Sequence, residues 1–458
     1  MKKALSLFMT FTILILTVLC APLSAQAAEY TPDKKIYAKA YMLVNLDDDS
    51  YPVVTQKNAD EKMYPASLTK IVTAMVVLNN VTDLSQKATM SQSAHDALIN
   101  TGAQVAGIQV GESLTIEELL YLTMVHSACD ACQVLAEFVG GDTNTFVQMM
   151  NDWVKSIGCK GTHFVNPDGL HDPNHYTTVN DMKIITLEAM KNDMFNKIST
   201  TKSYNYKNMT LIHTNYMLDR AHLTYYYEYA EGIKTGSTGE AGYCVITKAS
   251  KNGYNYLAIV MGSPIKNLNG IDTKCSFIDA ASLFDWAFDS LKYTTVIRQN
   301  DVVSEVPVIN GKDADTVQLV AQADVTSLVP STLDPSAVIV EPVNPPAEIE
   351  APVTKGDKIC KANIIYADQT VATVQLVAAQ TVELSTFLKI LNALKKFFSN
   401  KFVLLVIFVI ILALIAYVII FIARLQKDKK RIAEKRRKQE ELDNQINSND
   451  DFLPPPRR

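Results

Sequence analysis

At 458 residues, 48% hydrophobic and 20% charged, the chain has room for two or three domains and a sizeable core. With 17 glycines and 17 prolines it is neither collagen-like nor low-complexity. The formal net charge is −5, yet residues 424–458 hold eleven Lys and Arg against seven Asp and Glu. A basic block confined to one end is a topology signal and gives no ground for a nucleic-acid partner.

In chain order, residues 1–27 have the anatomy of a secretory signal. Lys2 and Lys3 precede an apolar run, and Ala25-Gln26-Ala27 offers small residues for cleavage. The alternative is an uncleaved anchor. Residues 39–56 predict a hairpin around Asp47-Asp48-Asp49-Ser50, and Pro65-Ala66-Ser67 opens a helix whose stretch Ile71–Leu78 is apolar almost all round, hence buried. Thr115-Ile-Glu-Glu118 is a capping box opening a helix that ends near Ser127. Val147, Met150, Val154 and Ile157 form the stripe of a further helix, residues 146–157. Residues 232–236, 242–247 and 254–262 then predict strands, the last two joined at Asn252-Gly253. Strands at both ends of a helical middle indicate an antiparallel sheet with helices around it, built from chain ends that meet.

Residues 296–382 are Val-rich and predict a small all-β domain, so that residues 28–295 form the preceding domain. Residues 383–400 predict an amphipathic helix with Leu384, Phe387, Leu388, Leu391 and Leu394 on one face. It lies either on a membrane surface or against the preceding domain. Residues 402–423 are uncharged, and at 1.5 Å per residue they reach about 33 Å, enough to cross a bilayer core. The basic tail, residues 424–458, follows at once, which places it in the cytoplasm and everything upstream outside. The expected protein is a single-span one of the cell membrane, its tail helical near the membrane and disordered by Pro454–Pro456. Cys20 falls in the signal; the other six cysteines are in a compartment that permits disulfides, and no pairing can be assigned. Cys129 and Cys132 form a CxxC without the further ligands that a zinc site needs.

Three short motifs occur in one order: Ser67-Leu-Thr-Lys70, Ser127-Ala-Cys129 and Lys234-Thr-Gly236. In the first, a serine at the opening of a buried helix has a lysine three residues on, within side-chain reach. A lysine in an apolar place beside another cation has a lowered pKa and can take the hydroxyl proton, while the helix N-terminus offers N–H groups to an oxyanion. The plain structural alternatives are a helix cap at Ser67, a solvated Lys70, and Ser127 capping the next helix with Asp130. Lys234 and Thr235 on a strand supply a cation and a hydroxyl for a carboxylate, and Gly236 allows backbone to approach.

Together the motifs are the signature set of penicillin-binding proteins and class A β-lactamases. The chain resembles the serine-type D-alanyl-D-alanine carboxypeptidases, the low-molecular-weight penicillin-binding proteins of peptidase family S11. The text around the motifs carries the likeness: Tyr64–Met75, Val110–Tyr121, Thr162–His171, His175–Thr178 and Gly232–Cys244. It is close over residues 39–293 and looser in the β-domain. The resemblance implies a β-lactamase/transpeptidase-like α/β domain, then the small all-β domain and the C-terminal transmembrane helix. It implies Ser67 as nucleophile, Lys70 as its base and Ser127 as proton relay. Lys234 and Thr235 would meet the substrate carboxylate, and the N–H groups of Ser67 and Ser237 would form the oxyanion hole. The expected activity is removal of the terminal D-alanine from peptidoglycan stem peptides through an acyl-enzyme on Ser67, with β-lactams as covalent inhibitors and no metal or organic cofactor.

Two departures stand out. The second motif of the family ends in Asn, and that position here is Cys129. A thiol is a weak donor and a weak acceptor where an amide offers a carbonyl and two N–H donors. The family's carboxylate-binding arginine has only Arg220 as a nearby candidate. The rival readings are a non-catalytic peptidoglycan-binding scaffold, with Cys129 as its mark, and a β-lactamase, which needs a deacylating carboxylate that is not evident.

Overall fold

The computed structural model describes residues 30–449. The signal segment 1–27 and Pro454–Pro456 lie outside the described residues. These divide into two compact units: one runs up to Val303 and takes in Ala321–Asn344 and Cys360–Leu376; the other comprises Ser304–Val320, Pro345–Ile359 and the chain from Val377.

The first unit is organised by a five-stranded antiparallel sheet in the order Val53–Lys57, Ala40–Asn45, Tyr254–Ser263, Gly242–Lys251, Ala230–Thr238. The expected strands are all present, and chain segments some 200 residues apart meet in it, with Ala40 opposite Met261. Alternation decides what each face carries. Met42, Val44, Ile246, Leu257 and Ile259 point into one core, shared with the helices Lys70–Asn80, Ile116–Val125, Cys129–Gly140, Thr143–Ser156 and Val179–Ala189. Tyr41, Leu43, Val245, Ala258 and Val260 point into the other, closed by the helix Cys275–Ser290. Because both faces are covered, the strands Ala40–Asn45 and Tyr254–Ser263 are apolar at nearly every position, each buried Val, Leu or Ile contributing ~1.5–3 kcal/mol relative to exposure.

Capping fixes where the helices begin. Thr115 and Glu118 close the expected box, Glu118 accepting from the Thr115 backbone at 2.8 Å. Ser127 does not cap the helix Cys129–Gly140, whose N-cap is Ala128 without a side-chain bond. Asp130 turns instead to the loop before it and accepts from the backbone N–H groups of Ala106, Gly107 and Ile108. Ser127 is thereby released from a structural duty. The turn at Asn252-Gly253 has both residues at positive φ, 54° and 84°, as a two-residue hairpin loop requires.

Beyond this sheet the chain is built of strands from Leu291–Ile297 to Gln369–Ala378. In the second unit Val308 and Ile309 pair in parallel with Ile349 and Glu350. The helix Thr386–Ser399 has Ser385 as its N-cap, and the helix Lys401–Asn449 follows. The latter is the one helix among the described residues long and apolar enough to cross a membrane.

Candidate active site

The serine of the first motif sits where the chain changes direction. Ala66 has φ of 48°, a left-handed value that costs an L-residue energy, and a short 3-10 turn, Ala66–Thr69, then feeds the helix Lys70–Asn80. A buried relay holds this turn. His175 accepts the Val165 N–H on Nδ1, so Nε2–H donates to Thr69 Oγ1 at 2.8 Å, and Thr69 Oγ1 donates to the Ala66 carbonyl at 2.8 Å. Burial holds the His175 pKa down to about 3, which keeps the ring neutral and this direction of donation in place.

Two glycines let other segments close on the turn. A Cβ at Gly236 would stand 2.8 Å from the Pro65 carbonyl oxygen and 3.0 Å from the Ser67 nitrogen, so only glycine brings the strand Ala230–Thr238 alongside the serine. Gly169, at φ of 84°, approaches from the opposite loop; a Cβ there would fall 1.9 Å from the Ala66 oxygen.

Lys70 and Lys234 are both fully buried. Lys70 Nζ donates to Ser67 Oγ at 3.1 Å, to the Asp168 carbonyl at 2.6 Å and to Cys129 Sγ at 3.4 Å. Lys234 Nζ lies 2.8 Å from Ser127 Oγ and also donates to the Thr235 carbonyl at 3.1 Å. Ser127 is itself at φ of 63°, a second left-handed L-residue in the site. Burial pulls Lys70 down, and ionised neighbours, the Asp168 carboxylate and any thiolate at Cys129 or Cys132, push it up. Lys234 is depressed well below that value, by burial first and by the Lys70 cation second. The sequence expectation put the depressed pKa on Lys70. Three acceptors surround Lys70, and among the described residues no carboxylate or thiol bonds to Lys234.

These groups open on a cavity of about 510 Å³ lined by Ser67, Ser127, Cys129, Thr235, Gly236 and Ser237 among others. All six residues singled out from the sequence are therefore brought together, Thr235 Oγ1 donating to Thr214 Oγ1 at 2.6 Å. Arg220 is not among them. Its Nε donates to the Tyr226 hydroxyl at 3.1 Å, and it lines a separate cavity with Lys202 and His213. The cation that does line the active cavity is Lys274, whose ammonium stands over the Tyr216 ring at 4.5 Å. Sequence reading missed it, since a single lysine between a short strand and a helix carries no pattern. Asp168, His171 and Glu240, to which the sequence reading gives no role, also line the cavity. The six cysteines described are free thiols.

Comparison with known proteins agrees with this geometry. The family profile for D-alanyl-D-alanine carboxypeptidases, peptidase S11, matches residues 25–265, and that for the C-terminal domain of penicillin-binding protein 5 matches residues 291–384. The D-alanyl-D-alanine carboxypeptidase DacF of Bacillus subtilis is 28% identical over 365 residues, 78% of this chain and 89% of its own. A D-alanyl-D-alanine carboxypeptidase of Streptomyces sp. K15 is 32% identical over 218 residues, 45% of this chain and 75% of its own. The crystal structure of penicillin-binding protein 5 from Haemophilus influenzae superposes with a TM-score of 0.57 at 26% identity, covering 77% of this chain and 99% of that one. The chain belongs to the D-alanyl-D-alanine carboxypeptidase family, with its transpeptidase-like catalytic fold and its C-terminal β-domain.

Proposed function

We propose that the protein removes the terminal D-alanine from peptidoglycan stem peptides on the outer side of the cell membrane. The observation that carries this reading is the pairing of two buried lysines with two serines, Lys70 with Ser67 and Lys234 with Ser127, around one cavity. Ser67 Oγ attacks the carbonyl between the two D-alanines. Its proton passes by way of Ser127 toward Lys234, whose pKa burial and the Lys70 cation lower, while the Lys70 ammonium stabilises charge growing on Ser67 Oγ. The same proton then goes to the departing amine, and water hydrolyses the ester. The N–H groups of Ser67 and Ser237 receive the oxyanion, and Thr235 with Lys274 receives the terminal carboxylate. A β-lactam offers the same carbonyl and carboxylate and traps Ser67. The scaffold and β-lactamase readings are not favoured, since the full set of reacting groups is assembled within the carboxypeptidase family.

The helices that end the second unit support the membrane placement. On a helical wheel Lys389 and Asn392 share a side of the helix Thr386–Ser399 and meet partners there, Lys389 with Glu350 at 3.9 Å and Asn392 with Asn310 at 2.9 Å. Phe387, Ile390, Leu391, Leu394 and Phe397 occupy the opposite side and are exposed, Phe387 by 73%. That exposed face suits the outer membrane surface, with Lys401–Asn449 crossing the bilayer and the basic stretch from Arg424 inside.

Two measurements test the proposal. Intact-mass analysis after incubation with benzylpenicillin should show a single adduct, and peptide mapping should place it on Ser67; an adduct elsewhere, or none on folded protein, rejects the mechanism. Lys274→Met should raise KM roughly tenfold for peptides ending in a free carboxylate and spare the corresponding amides. Equal effects on both would remove Lys274 from carboxylate recognition.

A further inference from the structure

We propose that the mouth of the active cavity holds a subsite for a free amine on the residue third from the C-terminus of the substrate peptide, built on Glu240. The inference rests on the carboxypeptidase reading above and names the kind of stem peptide the site prefers.

The strand Ala230–Thr238 is the edge of its sheet. Its unpaired side faces the cavity, where an extended peptide can lie against it. Two points set the direction of that peptide. Gly236 abuts Ser67, which fixes the scissile carbonyl beside residues 236–237. Thr235, tied to Thr214, marks the carboxylate end, and Lys274, standing over Tyr216 and Tyr243, is the cation assigned to that carboxylate. The residues upstream of the scissile bond therefore run the other way, past Ser237 and Thr238 toward the hairpin tip at Gly239-Glu240, and all four line the cavity. An extended chain advances about 3.3 Å per residue, so the third residue from the end lies beside Ser237 and Thr238, from where a long diamino side chain can reach this tip.

Glu240 is suited to meet a cation there. Its side chain is half exposed, and among the described residues the one basic side chain within 4 Å of its carboxylate is His171, with Nδ1 at 3.8 Å, too long for a hydrogen bond. The His171 ring is itself held edge-on against Tyr64, with centroids 4.7 Å apart. The other acid of the cavity, Asp168, is closed to ligands: it is buried and accepts from Gln133 Nε2 at 2.8 Å and from the Leu170 N–H at 3.0 Å. Lys274 at one end and Glu240 at the other thus match a peptide with a terminal carboxylate and an ammonium two residues before it. The diamino residue of a stem peptide carries such an amine until cross-linking acylates it. The subsite would favour stems that are not yet cross-linked.

The test uses the full-length protein in detergent and two peptides, α-blocked L-Lys-D-Ala-D-Ala with a free ε-amine and the same peptide Nε-acetylated. The free amine should give a roughly two- to fivefold higher kcat/KM, carried by KM and diminished by salt, as a partly exposed ion pair allows. In Glu240→Gln the ratio should fall to about one, with penicillin labelling confirming a folded site. Equal kcat/KM for the two peptides in the native protein, or a ratio preserved in Glu240→Gln, overturns the subsite. Release of D-alanine from neither peptide by the native protein would instead reject the carboxypeptidase reading itself.

Discussion

Lys234→Arg and Lys234→Met should both slow acylation by penicillin, each by roughly 10²- to 10⁴-fold, the range of a lost general base. Retention of positive charge should therefore not rescue the site. The reason is the division of charge between the two lysines. Lys70 donates to three acceptors and holds its proton, whereas Lys234 is buried beside that cation and depressed well below the ordinary lysine value. A neutral amine 2.8 Å from Ser127 can take a proton; a guanidinium is charged at every working pH and cannot. The sign of the pH dependence follows. As pH falls through the lowered Lys234 value the amine gains a proton, two ammonium groups face each other, and acylation is lost; as pH rises it returns. The same group makes the fold more stable as pH climbs toward the ordinary lysine value, since there the unfolded chain binds the extra proton and the native state does not. Stopped-flow acylation across pH checks the first statement, and denaturant unfolding across pH checks the second. Substantial activity in Lys234→Arg would show a fixed cation serving the carboxylate. Should the larger side chain unfold the protein, Lys234→Met decides: its residual rate should have lost the acidic limb.

Much of this site could be read along the chain, because its groups come in short runs whose local structure the pattern already fixes. Ser67 and Lys70 share a helical turn, and Lys234, Thr235 and Ser237 share a strand, so the cavity inherits their order. What depends on segments meeting across the fold was not legible. The carbonyl that holds Lys70 comes from Asp168, 98 positions away, and the relay that steadies the Ser67 turn comes from His175, 106 positions from Thr69. Which lysine keeps the proton depends on those contacts, which no local pattern along the chain shows. Arg220 drew attention for its charge type, but its loop carries it to Tyr226, and Lys274 reaches the cavity from the edge of the helix Cys275–Ser290. The capping motif at Ser127 failed for a related reason: Asp130 found stronger partners in the backbone of residues 106–108.

Cys129→Asn should raise the rate of acylation, by roughly 10- to 150-fold if the gain acts only in the transition state, and leave the thermal midpoint within a few degrees of the native protein. Cys129 is all but buried yet lines the cavity, so the amide has open volume on one side. Its sulfur now lies 3.4 Å from Lys70 Nζ, a contact in which a thiol is a poor acceptor. Burial raises the Cys129 pKa, the Lys70 cation opposing this only in part, so the group is a neutral thiol and adds little hold on the ammonium. An asparagine carbonyl in that place would fix Lys70 against Ser67, and its N–H₂ would face the substrate backbone. One hydrogen bond to a charged group contributes about 1.5–3 kcal/mol, which is the origin of the expected range. Acylation by penicillin and release of D-alanine should rise together, because both need Lys70 in place as charge develops on Ser67. A fall in both rates with unchanged stability would carry a different meaning. It would show that a firmer acceptor traps the Lys70 proton, and that the weak hold of a thiol is what lets charge move between the two lysines during turnover.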